Sequence, residues 1–317
     1  MIPASPQKMQ EQLIKWLNTH KGQTISRLAP TPSGFLHLGN GMNFAITWAL
    51  SRATGGKLIL RIDDADKSRV RPAYVEQLFR DLDYLGLDWD EGPEKAADLQ
   101  RWSQLLRCEE FGHILALLGA QVYGCDCSRS QIKSINPDGR YPGTCRERGL
   151  PILRGNTATR WRTPSEPVEW EDGFLGTVQS RPDSAGDVIL WRKDGYPAYH
   201  LCSLTDDIQW KVNLIVRGED LKDSTGIQLA IARSLTRHGE SFQKAAFFHH
   251  GLIKERDGRK MSKSEGGASL RSMALAGTAP AVIFQHAAFQ MGLTSDPQDQ
   301  QFQTSSDLLK ATKSLIG

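Results

Sequence analysis

Strand and helix patterns alternate near the start of the chain, and this repeat limits the possible folds more than any other feature. Residues 24–29 (TISRLA) and 57–62 (KLILRI) are apolar runs typical of strands buried in a parallel sheet. Between them, the Pro/Gly turn PTPSG leads into a helical pattern that ends at Gly55 and Gly56. Residues 72–85 return to helical spacing. The pattern predicts an α/β fold with a doubly wound parallel sheet.

The remaining sequence divides into segments of different character. Residues 1–21 predict an N-terminal extension with a short amphipathic helix that packs on the body. The first α/β half covers residues 22–122, and residues 123–195, which hold three cysteines and many Pro and Gly, predict an inserted subdomain. The α/β pattern returns over residues 196–265. Residues 266–317 predict a short helical C-terminal segment.

Composition excludes several classes of protein. The 317 residues are 39% hydrophobic and 24% charged, which excludes fibrous, collagen-like and wholly disordered chains. We find no membrane span and no apolar core of a secretory signal, so we expect no membrane association. The net charge of +3 is compatible with nucleic-acid binding but favours it only weakly. Five cysteines, an odd number without a signal peptide, predict reduced thiols and a cytoplasmic location.

Residues 29–40 (APTPSGFLHLGN) predict a phosphate-binding turn. A strand enters the turn and a helix leaves it, and the helix N-terminus presents unpaired N–H groups and the positive end of the helix dipole. Gly34 and Gly39 would allow the backbone to approach a ligand closely. His37 can donate a hydrogen bond to a phosphate oxygen. Taken alone, the pattern is also compatible with a purely structural His37.

Residues 257–267 (DGRKMSKSEGG) predict a mobile loop that carries two lysines. Lys260 and Lys263 could close over a polyphosphate and neutralise the charge that develops in nucleotidyl transfer. The alternative is a solvated basic turn with no catalytic part.

The two motifs together resemble the paired signature of class I aminoacyl-tRNA synthetases, since KMSKS is present letter for letter. The stretches RLAPTPSGFLHLGN, LILRIDDAD, YLGLDWDEGP, YPAYHLCSLTDD and LIVRGEDLKDST resemble glutamyl-tRNA synthetases, over roughly residues 24–290. The resemblance implies a Rossmann-type catalytic core that binds ATP with Mg²⁺. It implies catalytic roles for His37, Asn40, Lys260 and Lys263, and ATP contacts from Pro30, Gly34, His37, Gly39, Asn40 and Lys263. Asn40 stands where the family has His; it keeps a donor but cannot carry charge.

A full glutamyl-tRNA synthetase has a long anticodon-binding region after KMSKS, and this sequence has no room for one. In this respect it resembles the truncated bacterial paralogues, the glutamyl-queuosine tRNA(Asp) synthetases. Those enzymes activate glutamate with ATP and transfer it to queuosine in the tRNA(Asp) anticodon. The resemblance therefore implies L-glutamate, ATP and queuosine-containing tRNA(Asp) as partners of a monomeric enzyme that lacks an anticodon-binding domain.

The resemblance also implies a glutamate site formed by Arg27, Thr31, Asp63, Tyr199 and Arg217. A planar guanidinium binds a carboxylate through two parallel hydrogen bonds, which suits Arg27 or Arg217 as the reader of the side-chain carboxylate. Thr31 stands where the family usually has Ser. Asp63 stands where the family has the Glu that binds the substrate ammonium, and it is one methylene shorter. We expect glutamate to remain the substrate, with altered affinity.

Cys125, Cys127 and Cys145 lie within 21 residues and can occupy three corners of a tetrahedral zinc site. From the spacing alone, the fourth ligand could be Tyr141, Asp126 or a distant residue, and three free cysteines are the alternative to a metal. The zinc site of the truncated paralogues resembles this pattern, including a tyrosine at the position of Tyr141. The resemblance thus implies one structural Zn²⁺.

Three other functions stay open at this point. A small synthetase that charges a tRNA 3′ end differs only in its acceptor. A catalytically silent, zinc-bearing tRNA-binding module is disfavoured by the intact KMSKS and by His37. Transfer of the activated amino acid to an acceptor other than tRNA is not excluded by any motif.

Overall fold

The computed structural model describes residues 6–253 and 269–316. The helices are α1 Pro6–Thr19, α2 Leu38–Ala53, α3 Pro72–Tyr84, α4 Leu99–Trp102, α5 Cys108–Leu117, α6 Arg129–Ile135, α7 Tyr199–Gln209, α8 Lys222–Ser234, α9 Glu240–Gln243, α10 Leu270–Leu275, α11 Ala281–Gln290 and α12 Ser305–Ser314. The strands are β1 Ile25–Leu28, β2 Lys57–Leu60, β3 Val122–Cys125, β4 Ala158–Trp161, β5 Val168–Asp172, β6 Gly176–Ser180, β7 Ile189–Trp191, β8 Leu214–Gly218 and β9 Ala246–His250.

The described strands form three sheets, where the sequence predicts one parallel sheet. β1 and β2 form a parallel pair. The second sheet is mixed and has the strand order β6-β5-β9-β8, and the third is antiparallel and has the order β3-β4-β7. The α/β class is confirmed, but the expectation of a wholly parallel sheet is wrong. β1 and β8 are joined in part through a side chain rather than by a regular ladder: Asn213 Oδ1 accepts from Ile25 N at 2.8 Å, and Asn213 N donates to Ile25 O at 3.0 Å.

Helices cover both faces of the sheet that contains β8 and β9. Leu214 and Val216 of β8 pack in a core cluster with helices α1, α2, α11 and α12. Ile215, between them in sequence, packs in a second cluster with α5, α7 and α8. This alternation is the expected consequence of the two-residue period of a strand that is buried on both sides.

The predicted turn and helix between the first two strands are confirmed. α2 runs from Leu38 to Ala53, and the chain then turns at Gly55, whose φ of +67° favours glycine. Gly56 is required for another reason: a Cβ there would lie 2.5 Å from Thr24 O. The glycine pair therefore ends the helix and allows the second strand to return beside the first.

The predicted inserted subdomain contains two structural parts. β3, β4 and β7 form the antiparallel sheet; Cys125 ends β3, and Cys127 and Cys145 lie in loops that follow it. β5 and β6 form a hairpin that belongs to the mixed sheet, because Asp172 of β5 pairs in parallel with Phe247 of β9. The domain boundaries predicted from the sequence stay predictions.

The described helices include none with both the length and the apolar character that crossing a bilayer requires.

Candidate active site

A cavity of about 740 Å³ opens where β1, β2 and β8 end and α2 begins. Ligands of open α/β sheets bind at this position, beyond the carboxyl ends of the strands. Every predicted active-site residue among those that the structure describes lines it, namely Arg27, Pro30, Thr31, Gly34, His37, Gly39, Asn40, Asp63, Tyr199 and Arg217. The structure thus brings together residues that are up to 190 positions apart in sequence. Their individual roles stay predictions.

The first wall of the cavity is the N-terminus of α2. His37 is the N-cap residue, and its Nδ1 accepts a hydrogen bond from Gly39 N at 3.1 Å. Asn40 Oδ1 accepts in return from His37 N at 3.1 Å. Because Nδ1 is an acceptor, the neutral ring carries its proton on Nε2. Asn40 uses its oxygen for the cap, which keeps its amide N–H groups as donors for a ligand.

The predicted lysines Lys260 and Lys263 lie outside the described residues. The described residues on either side, Ile253 and Ser269, both line the cavity. Ser269 forms an antiparallel bridge with His37.

The opposite wall is a cluster of buried charges around Asp207 of α7. Asp207 Oδ1 accepts from Arg27 Nε at 3.0 Å and from Arg61 Nη1 at 2.6 Å, and its Oδ2 lies 4.0 Å from Arg217 Nη2. Burial alone would raise the pKa of Asp207, but the three guanidinium groups lower it below its usual range. Asp207 therefore remains charged and fixes the positions of the arginines.

Asp63 is paired within the protein. Its two oxygens accept from Arg61 Nε at 2.6 Å and from Arg61 Nη2 at 3.2 Å. Burial raises the pKa of Asp63 to about 6, although the Arg61 guanidinium opposes this shift. A carboxylate can accept about four hydrogen bonds, so Asp63 keeps capacity for a cationic substrate group. The bidentate pairing with Arg61 was not foreseen from the sequence.

Arg217 and Tyr199 present groups to the cavity. Arg217 Nη2 is buried and has no hydrogen-bond partner among the described residues. The side chain of Tyr199 is 38% exposed, so it is a wall of the cavity rather than a packed core aromatic. Both side chains line the cavity, and the substrate contacts predicted for them stay predictions.

Sequence reasoning missed Arg61 and Asp207, which hold the charge cluster together. Both have a signal in the sequence. Arg61 is a charged residue within the apolar run KLILRI, and Asp207 belongs to the adjacent pair Asp206-Asp207 in a helix that has no other Asp, Glu, Lys or Arg. Adjacent buried acids require buried cations. Asp206 meets this need with Arg107, whose Nε lies 2.8 Å from Asp206 Oδ1.

The predicted metal ligands also lie together. The Sγ atoms of Cys125, Cys127 and Cys145 lie within 4.8 Å of one another, and those of Cys127 and Cys145 are 3.5 Å apart. Tyr141 Oη is 3.4 Å from Cys125 Sγ. Tetrahedral zinc, with bonds of about 2.3 Å to sulfur and 2.0 Å to oxygen, separates its ligand atoms by roughly 3.5–3.8 Å. The donor set therefore fits zinc.

The surroundings distinguish the two nearby candidates for the fourth ligand. Asp126 Oδ1 lies 3.3 Å from Cys145 Sγ, but its side chain is half-exposed and forms an ion pair with Arg148 at 2.9 Å. Tyr141 is buried among the cysteines, and the Arg160 guanidinium lies 3.6 Å from its ring centroid. The greater burial of Tyr141 favours it over Asp126.

The environment of the cluster shifts the pKa values of two of its thiols in opposite directions. Burial, together with hydrogen bonds to the neighbouring cysteines, raises the pKa of Cys127 to about 12. Burial opposes ionisation of Cys125 as well, but hydrogen bonds with Tyr141 and Arg160 lower its pKa overall. Three adjacent thiolates repel one another unless a bound cation balances their charge. A Zn²⁺ ion would provide that charge.

Comparison with known proteins identifies the family. A family model described as tRNA synthetases class I (E and Q), catalytic domain, matches residues 23–315. The chain belongs to this family. It is 38% identical to the glutamyl-Q tRNA(Asp) synthetase of Symbiobacterium thermophilum over 86% of this chain and 88% of that relative. It is 35% identical to the enzyme of the same name from Nitratidesulfovibrio vulgaris, over 85% and 87% of the two chains. The predicted kinship with glutamyl-queuosine tRNA(Asp) synthetases, which are class I synthetase-like ligases, is confirmed.

Longer relatives match as well. Glutamate–tRNA ligase 2 of Syntrophus aciditrophicus is 34% identical over 83% of this chain but only 56% of its own length. The crystal structure of glutamate-tRNA synthetase from Elizabethkingia anophelis superposes with a TM-score of 0.73 at 20% identity, covering 92% of this chain and 66% of that one. This likeness confirms the class I catalytic fold, and the chain spans about two thirds of that solved structure.

Proposed function

We propose that the enzyme activates L-glutamate with ATP as glutamyl-adenylate and transfers the glutamyl group to queuosine of tRNA(Asp). The names of its relatives in two bacteria support the acceptor. One observation carries the proposal: a single cavity joins a helix N-terminus to a buried arginine cluster. The first element suits a polyphosphate and the second suits an amino acid with two carboxylates.

The charge balance of the cluster favours an anionic amino acid. Three guanidinium groups, of Arg27, Arg61 and Arg217, face two carboxylates, of Asp63 and Asp207. The nearby Asp206 is balanced by Arg107 and does not change this excess of one positive charge. Glutamate carries a net charge of −1, so its binding would neutralise the excess positive charge of the cluster. A neutral amino acid would leave the excess charge buried and uncompensated.

In the first step, the glutamate α-carboxylate attacks the α-phosphorus of ATP, forming the acyl-adenylate and releasing pyrophosphate. The protein contributes position and charge rather than covalent chemistry. His37 Nε2–H, the Asn40 amide and the first N–H groups of α2 would bind phosphate oxygens. Lys260 and Lys263 would neutralise the leaving pyrophosphate. Mg²⁺ would enter with ATP, held mainly by phosphate oxygens and water.

Within the amino-acid site, Arg217 is the better reader of the side-chain carboxylate. Arg27 already donates a hydrogen bond from its Nε to Asp207, whereas Arg217 Nη2 lies 4.0 Å from Asp207 Oδ2 and has no hydrogen-bond partner among the described residues. Asp63 would receive the substrate ammonium, and Tyr199 would cover the bound amino acid. In the second step, a hydroxyl of the acceptor attacks the activated carbonyl and AMP leaves.

Cys125, Cys127, Cys145 and Tyr141 would hold one Zn²⁺ with a structural role. The ion would supply the charge that two buried thiolates and one partly buried thiolate need, and it would fix the loops on either side of α6. None of these four residues lines the cavity described above. The metal therefore has no step in the amino-acid activation.

The decisive experiment is attachment of radiolabelled glutamate to tRNA from matched cells with and without queuosine, in the presence of ATP and Mg²⁺. We expect label only on queuosine-containing tRNA, and we expect it to persist on tRNA from which the 3′-terminal adenosine has been removed enzymatically beforehand. Label on both pools that is abolished by removal of this adenosine would show a 3′-end charging enzyme instead. The chain's likeness to glutamate–tRNA ligase 2 makes this the relevant alternative.

A further inference from the structure

A hydrogen bond fixes the Arg217 guanidinium on the side away from the cavity. Its Nη1 donates to Thr225 Oγ1 at 2.8 Å, and Thr225 lies on α8, fully buried. The other terminal nitrogen, Nη2, has no hydrogen-bond partner among the described residues. The guanidinium is thus fixed at Nη1, while Nη2, which lies 4.0 Å from Asp207 Oδ2, still has its hydrogen bonds to donate.

The chain of hydrogen bonds that begins at Arg217 and Thr225 continues through two further buried side chains. Thr225 Oγ1 lies 2.9 Å from His249 Nε2, and His249 Nδ1 is hydrogen-bonded to Asp172 Oδ2. Asp172 is itself fixed, because its Oδ1 accepts from the backbone N–H groups of His249, Phe174 and Leu175. None of Thr225, His249 and Asp172 lines the cavity.

The chemistry of these groups sets the direction of each hydrogen bond. An ionised carboxylate only accepts, so His249 Nδ1 carries a proton and donates it to Asp172. In the neutral ring Nε2 is then an acceptor, and the Thr225 hydroxyl donates to it. The lone pairs of that hydroxyl consequently point towards Arg217 Nη1. Leu221 O, 3.3 Å from Thr225 Oγ1, competes for the same hydroxyl proton, and it is the acceptor that remains when His249 is replaced.

We propose that Asp172, His249 and Thr225 are positioning residues that fix the Arg217 guanidinium for the side-chain carboxylate of the amino acid. The inference rests on the proposed function and deepens it by naming what makes the site selective for a second carboxylate. An arginine side chain has many rotamers, and holding one of them in advance lowers the entropic cost of binding.

The test is glutamate-dependent ATP–pyrophosphate exchange by the Thr225→Val variant, which has nearly the same shape but no hydroxyl. We expect the KM for glutamate to rise about tenfold or more, because a hydrogen bond to a charged group is lost. The KM for ATP should stay within about twofold, since the phosphate wall is separate. The preference for glutamate over glutamine should fall by the same factor as the glutamate affinity.

A matched control is available in the same core. Thr205 on α7 is also fully buried, but its hydroxyl has no hydrogen-bond partner among the described residues. Thr205→Val should leave the KM for glutamate unchanged. A second pair of variants acts at His249. In His249→Asn the new amide can bond to Asp172 but does not reach Thr225, so the KM should rise; His249→Gln, whose amide reaches Thr225, should restore most of the affinity.

The outcomes separate this inference from the proposed function. If Thr225→Val and His249→Asn both keep the wild-type KM for glutamate, or raise the KM for ATP equally, the positioning role is refuted while the proposed activity stands. If the wild-type enzyme shows no glutamate-dependent exchange, the proposed function fails and the inference fails with it. If Thr225→Val does not fold, the His249 pair decides.

Discussion

At the scale of single residues, the proposed amino-acid site contains a carboxyl group, that of Asp63, whose pKa lies close to neutral pH. Asp63 is buried against Arg61, and burial raises its pKa to about 6. Above that pH the group is a carboxylate that can bind an ammonium. Below it the group is neutral and loses most of its attraction for a cation.

This leads to the first prediction, a rise in the KM for glutamate as the pH falls from 7 to 5. The raised pKa of Asp63 places the loss of the carboxylate charge within this interval. Pyrophosphate exchange measured at several pH values gives the profile. Asp63→Asn has no titrating group at this position, so it should show a high KM with little pH dependence. A wild-type profile that is flat over the interval contradicts the role.

The second prediction concerns the fourth zinc ligand. Tyr141→Phe removes the oxygen that lies 3.4 Å from Cys125 Sγ, so we expect zinc affinity to fall by about 10–100-fold or more. Competition with a chromophoric chelator measures the change. Tyr123→Phe is the matched control, because Tyr123 packs in the same cluster but donates its hydroxyl proton to Asp187. Equal affinity in wild type and Tyr141→Phe would make another group the ligand.

At the scale of elements, the N-terminal helix α1 is part of the folded body. The sequence predicts an amphipathic helix, and the structure confirms it: Leu13 and Leu17 are fully buried in the first core cluster. Trp16 packs edge-on against Phe248 of β9, with ring centroids 5.2 Å apart. Because β9 also carries His249, α1 supports the strand behind the active site.

The third prediction follows from this packing. Leu13→Ala should lower the free energy of unfolding by about 2–5 kcal/mol, since it removes a fully buried side chain and leaves a cavity. Lys15→Ala, on the exposed side of the same helix, should change it by less than about 0.5 kcal/mol. Urea unfolding followed by circular dichroism measures both. Similar values for the two variants would show that α1 contributes little to the core.

At the scale of the whole molecule, local sequence signals predict the single α/β units well and their assembly less well. The run TISRLA, the glycine pair and KLILRI are local, and each gave the element that the structure has. The pairing of β5 with β9 depends on residues 75 positions apart, Asp172 and Phe247, and no local pattern contains it. The division into three sheets therefore could not be read from the sequence.

The candidate site shows the same limit. Motifs and a family resemblance were enough to name the residues that line the cavity, but the partners of those residues come from other elements. Asp207 contacts Arg27 across 180 positions, and His249 reaches Asp172 across 77. Buried polar residues must find partners, yet the sequence does not tell which ones. The charge cluster is thus a property of the assembled fold.

The last prediction uses the separation between the zinc-bearing part and the cavity. The cysteine cluster packs in its own small core, apart from the two large ones, and shares no residue with the cavity. Chelation of zinc should therefore increase hydrogen exchange in β3 and β4 while glutamate-dependent pyrophosphate exchange continues. Transfer to tRNA should be lost, because the exposed basic residues beside the cluster, Arg129 and Arg140 among them, would no longer present a fixed surface to phosphates.

Adding back Zn²⁺ should restore transfer without changing the rate of activation, which provides the control for damage by the chelator. If activation falls together with transfer, the metal supports the catalytic core as a whole and the two parts are one cooperative unit. If neither changes, the cluster is not needed for the acceptor. The expected split follows from the proposed function, in which the amino acid is activated beyond the ends of β1, β2 and β8 and the three-stranded sheet takes no part in that step.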